Sequence, residues 1–301
     1  MSTLTVAKKD FMGVRRSRML WAAAVFLGLI AAFIAYVSGT AGQGAEIVKE
    51  LFRVLVMVLS VLLPVVALIA SYLAIAGERE SGGIKFLLSL PNTRRSVFVG
   101  KVLSRTGVLV GGVAFVYVAA ISVALTRHGA FPAAFIFGTL LTTLVYGGTF
   151  VSIAIGLSAA VASRSRAIAA AFGTYFVLVI LYIFPLIQIP RMVQWVHTTL
   201  LGASENPDLY NAVKYTSPWI AYRKVNNLVY PEEMERTIFQ SSVRARLEDD
   251  SDRIISGGND AAANVDLPVY LTDEFSLVIL AFWLVVPLVL GYVLFERADL
   301  E

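Results

Sequence analysis

Six stretches of the chain are predominantly apolar and free of charge, 19–38, 54–76, 106–126, 132–162, 167–187 and 275–295, and 54–76 is apolar on every face. Each reaches or exceeds the roughly 20 helical residues that cross a hydrocarbon core of about 30 Å. Lipid offers no partner for backbone N–H and C=O groups, so each run is expected to be helical unless strands close into a barrel. Barrel strands alternate apolar and polar residues, and 54–76 shows no alternation. The pattern therefore predicts an all-α, polytopic integral membrane protein with about six transmembrane helices. The first run is longer than the roughly 7 to 15 apolar residues of a secretory signal, and it reads as a retained span. Ahead of it, Leu4, Val6, Phe11, Met12 and Val14 stand among basic residues. They read as an amphipathic helix on the inner leaflet or as a basic tail.

Charge orients these spans. With the N-terminus inside, the inner segments hold fourteen lysines and arginines: Lys8, Lys9, Arg15, Arg16, Arg18, Arg79, Lys85, Arg94, Arg95, Lys101, Arg105, Arg164, Arg166 and Arg297. The short outer segments hold only Lys49, Arg53 and Arg127. Positive residues stay cytoplasmic, so both termini are expected in the cytoplasm and the chain in the cell membrane. The expected organisation is a membrane domain over 1–187 with five spans, an extracytoplasmic segment over 188–274, and the last span with its cytoplasmic tail over 275–301.

The outer segment begins with Trp195, Tyr210, Tyr215, Trp219, Tyr222 and Tyr230. These are aromatics of the kind that settle at a membrane interface, here on short surface helices. Residues 231–246 are polar and compatible with helix, and 248–266 are acidic and glycine-containing, as flexible segments are. Eight basic against thirteen acidic residues make the whole segment acidic.

Composition removes several classes of function. Hydrophobic residues make up 57% of the chain. In soluble domains the share is roughly 45–50%. The excess lies in the spans. No cysteine is present, so there are no disulfides or thiolate metal sites. The two histidines, His128 and His197, stand apart from any ligand pattern. No metal site and no nucleic-acid surface are expected. The only Gly-Lys pair, Gly100 and Lys101, lacks the rest of a phosphate-binding loop, so the chain is not expected to bind ATP itself. Hydrolase motifs are missing, which argues against an enzyme. The span centres carry no Asp, Glu, Lys, Arg or His, which argues against an ion-coupled carrier. The fourth span has hydroxyls instead. Thr142, Tyr146 and Thr149 read either as a polar substrate path or as side chains bonding their own helix's carbonyls. Gly107 with Gly111, and Gly148, Ser152, Gly156 and Ala160, recur at four-residue spacing. That spacing suits close helix packing within one subunit or between subunits.

The most informative loop joins the second and third spans. Glu78, Arg79 and Glu80 end a helix, and Gly82 and Gly83 allow a sharp redirection. Ile84, Leu87 and Leu88 then fall on one face of a short helix that Pro91 stops. Asn92 or Thr93 caps the next helix, which carries Arg94, Arg95 and Lys101 into the third span. Such a helical corner suits docking on a soluble partner. An ordinary connecting loop is the alternative.

The run Glu78-Arg79-Glu80-x-Gly82-x-Ile84-x-x-Leu87-Leu88-Ser89-x-Pro91-x-x-Arg94, with Gly100-Lys101 after it, resembles the signature of ABC-2 type permeases. That group includes permeases linked to copper-site maturation of nitrous-oxide reductase and sodium and drug efflux permeases. The turn Ser163-Arg164-Ser165-Arg166 is similar to the family's second cytoplasmic turn, while Gly83 stands where the family more often has Thr. The resemblance implies a permease subunit, usually of an exporter. It implies pairing with a second permease subunit, identical or related, on separate P-loop ABC ATPase subunits that carry ATP and Mg. The cytoplasmic coupling-type helix between spans 2 and 3 would transmit their motion through Glu78, Arg79, Glu80 and the 84–90 segment. Without thiols, copper handling by the chain itself is not expected. Two readings stand outside the resemblance: an ATP-independent carrier or channel, and a non-transporting membrane scaffold that couples an ATPase to extracellular events through the outer segment.

Overall fold

The computed structural model of the chain describes residues 3–37, 44–83, 93–184, 187–231 and 269–298, and among them every regular element is a helix. In order these are α1 (Thr3–Arg15), α2 (Arg18–Val37), α3 (Ala45–Ser71), α4 (Ala76–Glu80), α5 (Arg94–His128), α6 (Ala133–Ala160) and α7 (Arg164–Tyr175). A π-helical turn, Phe176–Ile180, carries α7 on to Ile183. Then come α8 (Ile189–Trp195), α9 (Pro207–Tyr215), α10 (Pro218–Val225) and α11 (Phe275–Arg297). Six helical segments are long and apolar enough to cross a membrane: α2, α3 with α4, α5, α6, α7 with its continuation, and α11. The expected all-α fold with six spans is the one observed.

Two helices are longer than their apolar runs. α3 starts at Ala45, ahead of the apolar run that begins at Val54, because Glu46 pairs with Lys49 at 2.7 Å and Glu50 with Arg53 at 2.6 Å along its surface. α5 has 35 residues. At about 1.5 Å per residue it is roughly 52 Å long, so it overhangs a bilayer core of about 30 Å. Thr93 Oγ1 caps its start by accepting the Ser96 N–H at 3.1 Å. Gly129, at φ 64°, ends it, in the left-handed conformation that glycine adopts without strain.

The chain forms two compact units, residues 1–177 with 280–301, and residues 178–279. In the first, α6 is the central helix: 72% of its apolar stretch is buried, against 11% for α11. Glycines set its contacts, as expected where lipid removes the hydrophobic incentive and close van der Waals approach must hold helices together. A Cβ at Gly147 would lie 2.6 Å from Leu109 Cδ1 and 3.1 Å from Leu63 Cδ2. One at Gly148 would lie 3.2 Å from Leu284 Cδ1, and Gly156 abuts Pro287 and Gly291 of α11. Gly148 and Gly156 thus pack within the subunit. Gly107 faces Phe11, whereas Gly111 faces open space.

α1 is an ordered helix whose Val6 is buried against α5. A Cβ at Gly100 would come within 2.9 Å of Val6 Cβ, so this glycine is what admits α1.

Pro64 interrupts the α3 ladder, since it has no N–H to give the Ser60 carbonyl. That buried carbonyl receives the Tyr146 hydroxyl from α6 at 2.6 Å instead, which keeps a buried backbone acceptor paired. Tyr175 donates to the neighbouring Val61 carbonyl at 3.3 Å.

In the second unit, Asn206 and Ser217 cap α9 and α10, each with proline at the first helical position, where its fixed φ and missing N–H cost nothing. Tyr215, Trp219 and Tyr222 are buried in this unit, whereas Trp195 is exposed. The outer aromatics expected at a membrane interface are therefore partly core. Lys224 is also buried, with Asp273 at 3.8 Å and the Tyr215 ring at 4.5 Å. Burial lowers the Lys224 pKa, against the pull of Asp273 and Glu274, because a charged ammonium is disfavoured away from water. The expectations for 232–268 lie outside the described residues.

Candidate functional site

The corner between the second and third spans is held by backbone bonds before any charge is counted. α3 ends at Ser71, and the chain turns through 72–75 into α4. The turn leaves the N–H groups of Ile75 and Ala76 outside a regular helix. Ser158 Oγ of α6 accepts both, at 3.0 Å each.

The three charged residues of α4 then point to three different neighbours. Glu78 Oε1 meets Lys101 Nζ of α5 at 2.8 Å. Arg79 donates to the carbonyls of Ala159 and Val161, at 3.1 and 3.3 Å. The end of α6 leaves these carbonyls without helical partners. Glu80 accepts the backbone N–H of Arg164, at the start of α7. A carboxylate at a helix N-terminus is favoured by the orphan N–H groups and the helix dipole there. The corner and the second basic turn thus form one charged surface.

Behind α4 lies a buried ionic cluster. Lys101 is 2% exposed and bridges Glu78 to Asp10 of α1, with Nζ 3.1 Å from Asp10 Oδ1. Arg105 Nη2 is 3.3 Å from Asp10 Oδ2, and its Nη1 donates to the Ala70 carbonyl at 2.7 Å. Burial pushes the Asp10 carboxyl up, but Lys101 and Arg105 together hold it below its ordinary value, since nearby positive charge favours the carboxylate. Arg94 closes the far side. It donates to the carbonyls of Phe295, Glu296 and Ala298 at 3.1, 2.7 and 2.8 Å. A basic side chain here caps the orphan carbonyls at the end of α11. Phe98 packs on Tyr292 and Phe295 beside it.

The residues named from the sequence therefore divide. Glu78, Arg79, Arg94 and Lys101 are turned into the protein, while Glu80, Gly82 and Arg95 are exposed. Gly82 takes φ 71°, the redirection expected of it, and Gly83 is described beside it. Ile84, Leu87, Leu88 and Pro91 lie outside the described residues. Thr142, Tyr146 and Thr149 are buried and donate to the carbonyls of Thr139, Ser60 and Tyr146. Asp10 and Ser158 were not singled out from the sequence. Asp10 is the only acidic residue before Glu46, and that isolation among basic residues is a signal for an internal partner. Among the described residues, no three of His, Cys, Asp and Glu gather where a metal could be held.

A six-span helical bundle whose charged corner is wired into its own helices defines a multi-pass membrane protein with a built polar end. The model of the family described as ABC-2 family transporter protein matches residues 4–300, and the chain belongs to that family. It is similar to the NosY protein of Pseudomonas aeruginosa, described as a probable ABC transporter permease, with 28% identity over 206 residues, 64% of this chain and 75% of that protein. The NosY protein of Stutzerimonas stutzeri, described in the same words, is 29% identical over 232 residues, 73% of this chain and 79% of that protein. Family and relatives make this chain a permease subunit of an ABC transporter, a class that associates with ABC ATPase subunits.

Proposed function

We propose that this chain is the permease of an exporter in the cell membrane, paired with a second permease subunit, identical or related. Separate ATPase subunits, which hold ATP and Mg, dock on the corner 77–101. The observation that supports this reading is the division of the corner's charges. Arg95 of α5 is exposed for a partner and Glu80 of α4 is exposed beside the start of α7, while Glu78 and Arg79 tie α4 to α5 and to the end of α6. Force applied to the outer residues passes directly to spans, because buried charge pairs resist separation more than surface ones do. Both permease copies would present this corner, so closure of the ATPases would move them together.

The test is co-purification of the tagged chain with the ABC ATPase encoded beside it. Glu80→Ala with Arg95→Ala is expected to reduce the retained ATPase at least fivefold while the permease still inserts in the membrane. Glu78→Ala or Arg79→Ala is expected to keep insertion but to uncouple ATP hydrolysis from transport. Full transport by vesicles holding no ATPase would overturn the reading. Direction is read in inverted vesicles, where an exporter accumulates cargo.

A further inference from the structure

Two cavities meet at the basic end of the first unit. One, of ≈ 320 Å³, lies among α1, α2, α3, α5 and α6 and is lined almost wholly by carbon, including Phe11, Trp21, Leu27, Leu63 and Phe115. Its volume falls in the range of ligand pockets. Close-packed interiors rarely leave a void larger than a water. The space exists because α5 carries glycine here: a Cβ at Gly111 or Gly112 would meet nothing within 4 Å. Leu27 and Leu63 are buried, while Trp21 and Phe115 are exposed on the bundle surface, so the cavity runs from the interior to the lipid-facing side.

The second cavity, of ≈ 430 Å³, has the charged side chains of Lys9, Asp10, Glu78, Lys101 and Arg105 in its wall. Val14 and Arg105 line both spaces, so an apolar chamber opens beside a charged one. Lys101 lies between Asp10 and Glu78, and the wall keeps an excess of one positive charge. Arg105 Nε is buried without an acceptor, and Asp10 Oδ2 and Glu78 Oε2 of the same wall are buried without a hydrogen-bond donor. An apolar chamber, a guanidinium with an unmet donor that lines both spaces and the net positive balance of the charged wall are together complementary to an amphiphile with an acidic head.

We propose that the paired cavities hold one anionic phospholipid of the cytoplasmic leaflet. An acyl chain fills the glycine-lined chamber, and the phosphate lies at Arg105 with Lys9 beyond it. Such a lipid completes the wall between α1 and α5 and takes up the donor that Asp10 leaves unmet. This goes beyond the transport reading, because it requires neither ATP nor cargo.

Native mass spectrometry of the full-length chain, purified in mild detergent with the ATPase subunits it carries, tests the site. Phosphatidylglycerol or phosphatidylcholine is added as the probe. One phosphatidylglycerol per chain is expected to survive desolvation, with phosphatidylcholine retained at least fivefold less. Gly111→Leu, which fills the chamber, is expected to lose that lipid at least fivefold, while Val118→Leu on the exposed face of α5 keeps it. If Gly111→Leu fails to fold, Gly111→Ala with Gly112→Ala, which meet no atom within 4 Å, decides the point by a graded loss. Equal retention of the two lipids, or a folded chamber-filling variant that keeps phosphatidylglycerol, overturns the proposal. ATPase co-purification is read in the same spectra, so failure of the lipid site is distinguished from failure of the permease assembly.

Discussion

Pro64 withholds the N–H that would satisfy the Ser60 carbonyl, and Tyr146 supplies the replacement donor. This pairing gives a residue-scale prediction. Tyr146→Phe leaves a buried acceptor unmet and is expected to cost about 1 to 2 kcal/mol. Adding Pro64→Ala restores a helical N–H and is expected to recover most of the loss, as read by thermal melting of the purified protein. The ionic cluster gives a second prediction. Lys101→Ala leaves Glu78 without its partner and Asp10 with Arg105 alone, and breaking a buried pair costs about 3 to 5 kcal/mol. Glu80→Ala, at the surface, is expected to cost under about 1 kcal/mol. Asp10 has its pKa lowered in the folded protein. Its stabilising contribution is therefore complete above the unfolded carboxylate value of about 3.9 and is lost as pH falls through the lower, folded one. Protease sensitivity of α1 is expected to rise below about pH 4, and Asp10→Asn is expected to show that sensitivity already at neutral pH. The hydroxyls of the fourth span were legible as polar, but their destinations were not. Nothing in a string of threonines and one tyrosine says that a proline in another helix has freed a carbonyl.

At the scale of elements, helix existence was legible and helix extent was only partly so. The Thr93 cap was readable, because a short hydroxyl side chain before a helix has one strong local use. The start of α3 at Ala45 was not, since Glu46, Lys49, Glu50 and Arg53 look like loop charges until their three-residue spacing is placed on a helix. α1 was legible as amphipathic, but its apolar side points to a helix rather than only to lipid. The matching glycine, Gly100, stands in a stretch read as a partner-facing corner. Gly156→Leu is expected to part α6 from α11, because the added side chain meets backbone that cannot retreat. With no native cysteine as background, Phe98→Cys with Phe295→Cys, whose rings lie 6.2 Å apart, is expected to be joined by a bifunctional maleimide. Introducing Gly156→Leu into that pair is expected to lower the yield severalfold.

For the whole molecule, orientation is the property that charge counting predicts most directly and that labelling tests most cleanly. Ser204→Cys is expected to react with a membrane-impermeant maleimide in intact cells, and Ser165→Cys only after permeabilisation. The reverse pattern would place the corner outside and remove the docking proposal with it. The corner's place in the chain was legible from a few charges and glycines, whereas its internal wiring was not, because Asp10, Ser158 and the end of α11 are far from it in sequence. That distance has a consequence for biosynthesis. Arg94 bonds carbonyls 201 to 204 residues further along. At about 5 to 20 residues per second, a ribosome needs roughly 10 to 40 s to make them. Until then the nascent third helix presents an arginine with none of these acceptors, a marker by which membrane quality control could tell an unfinished subunit from a finished one.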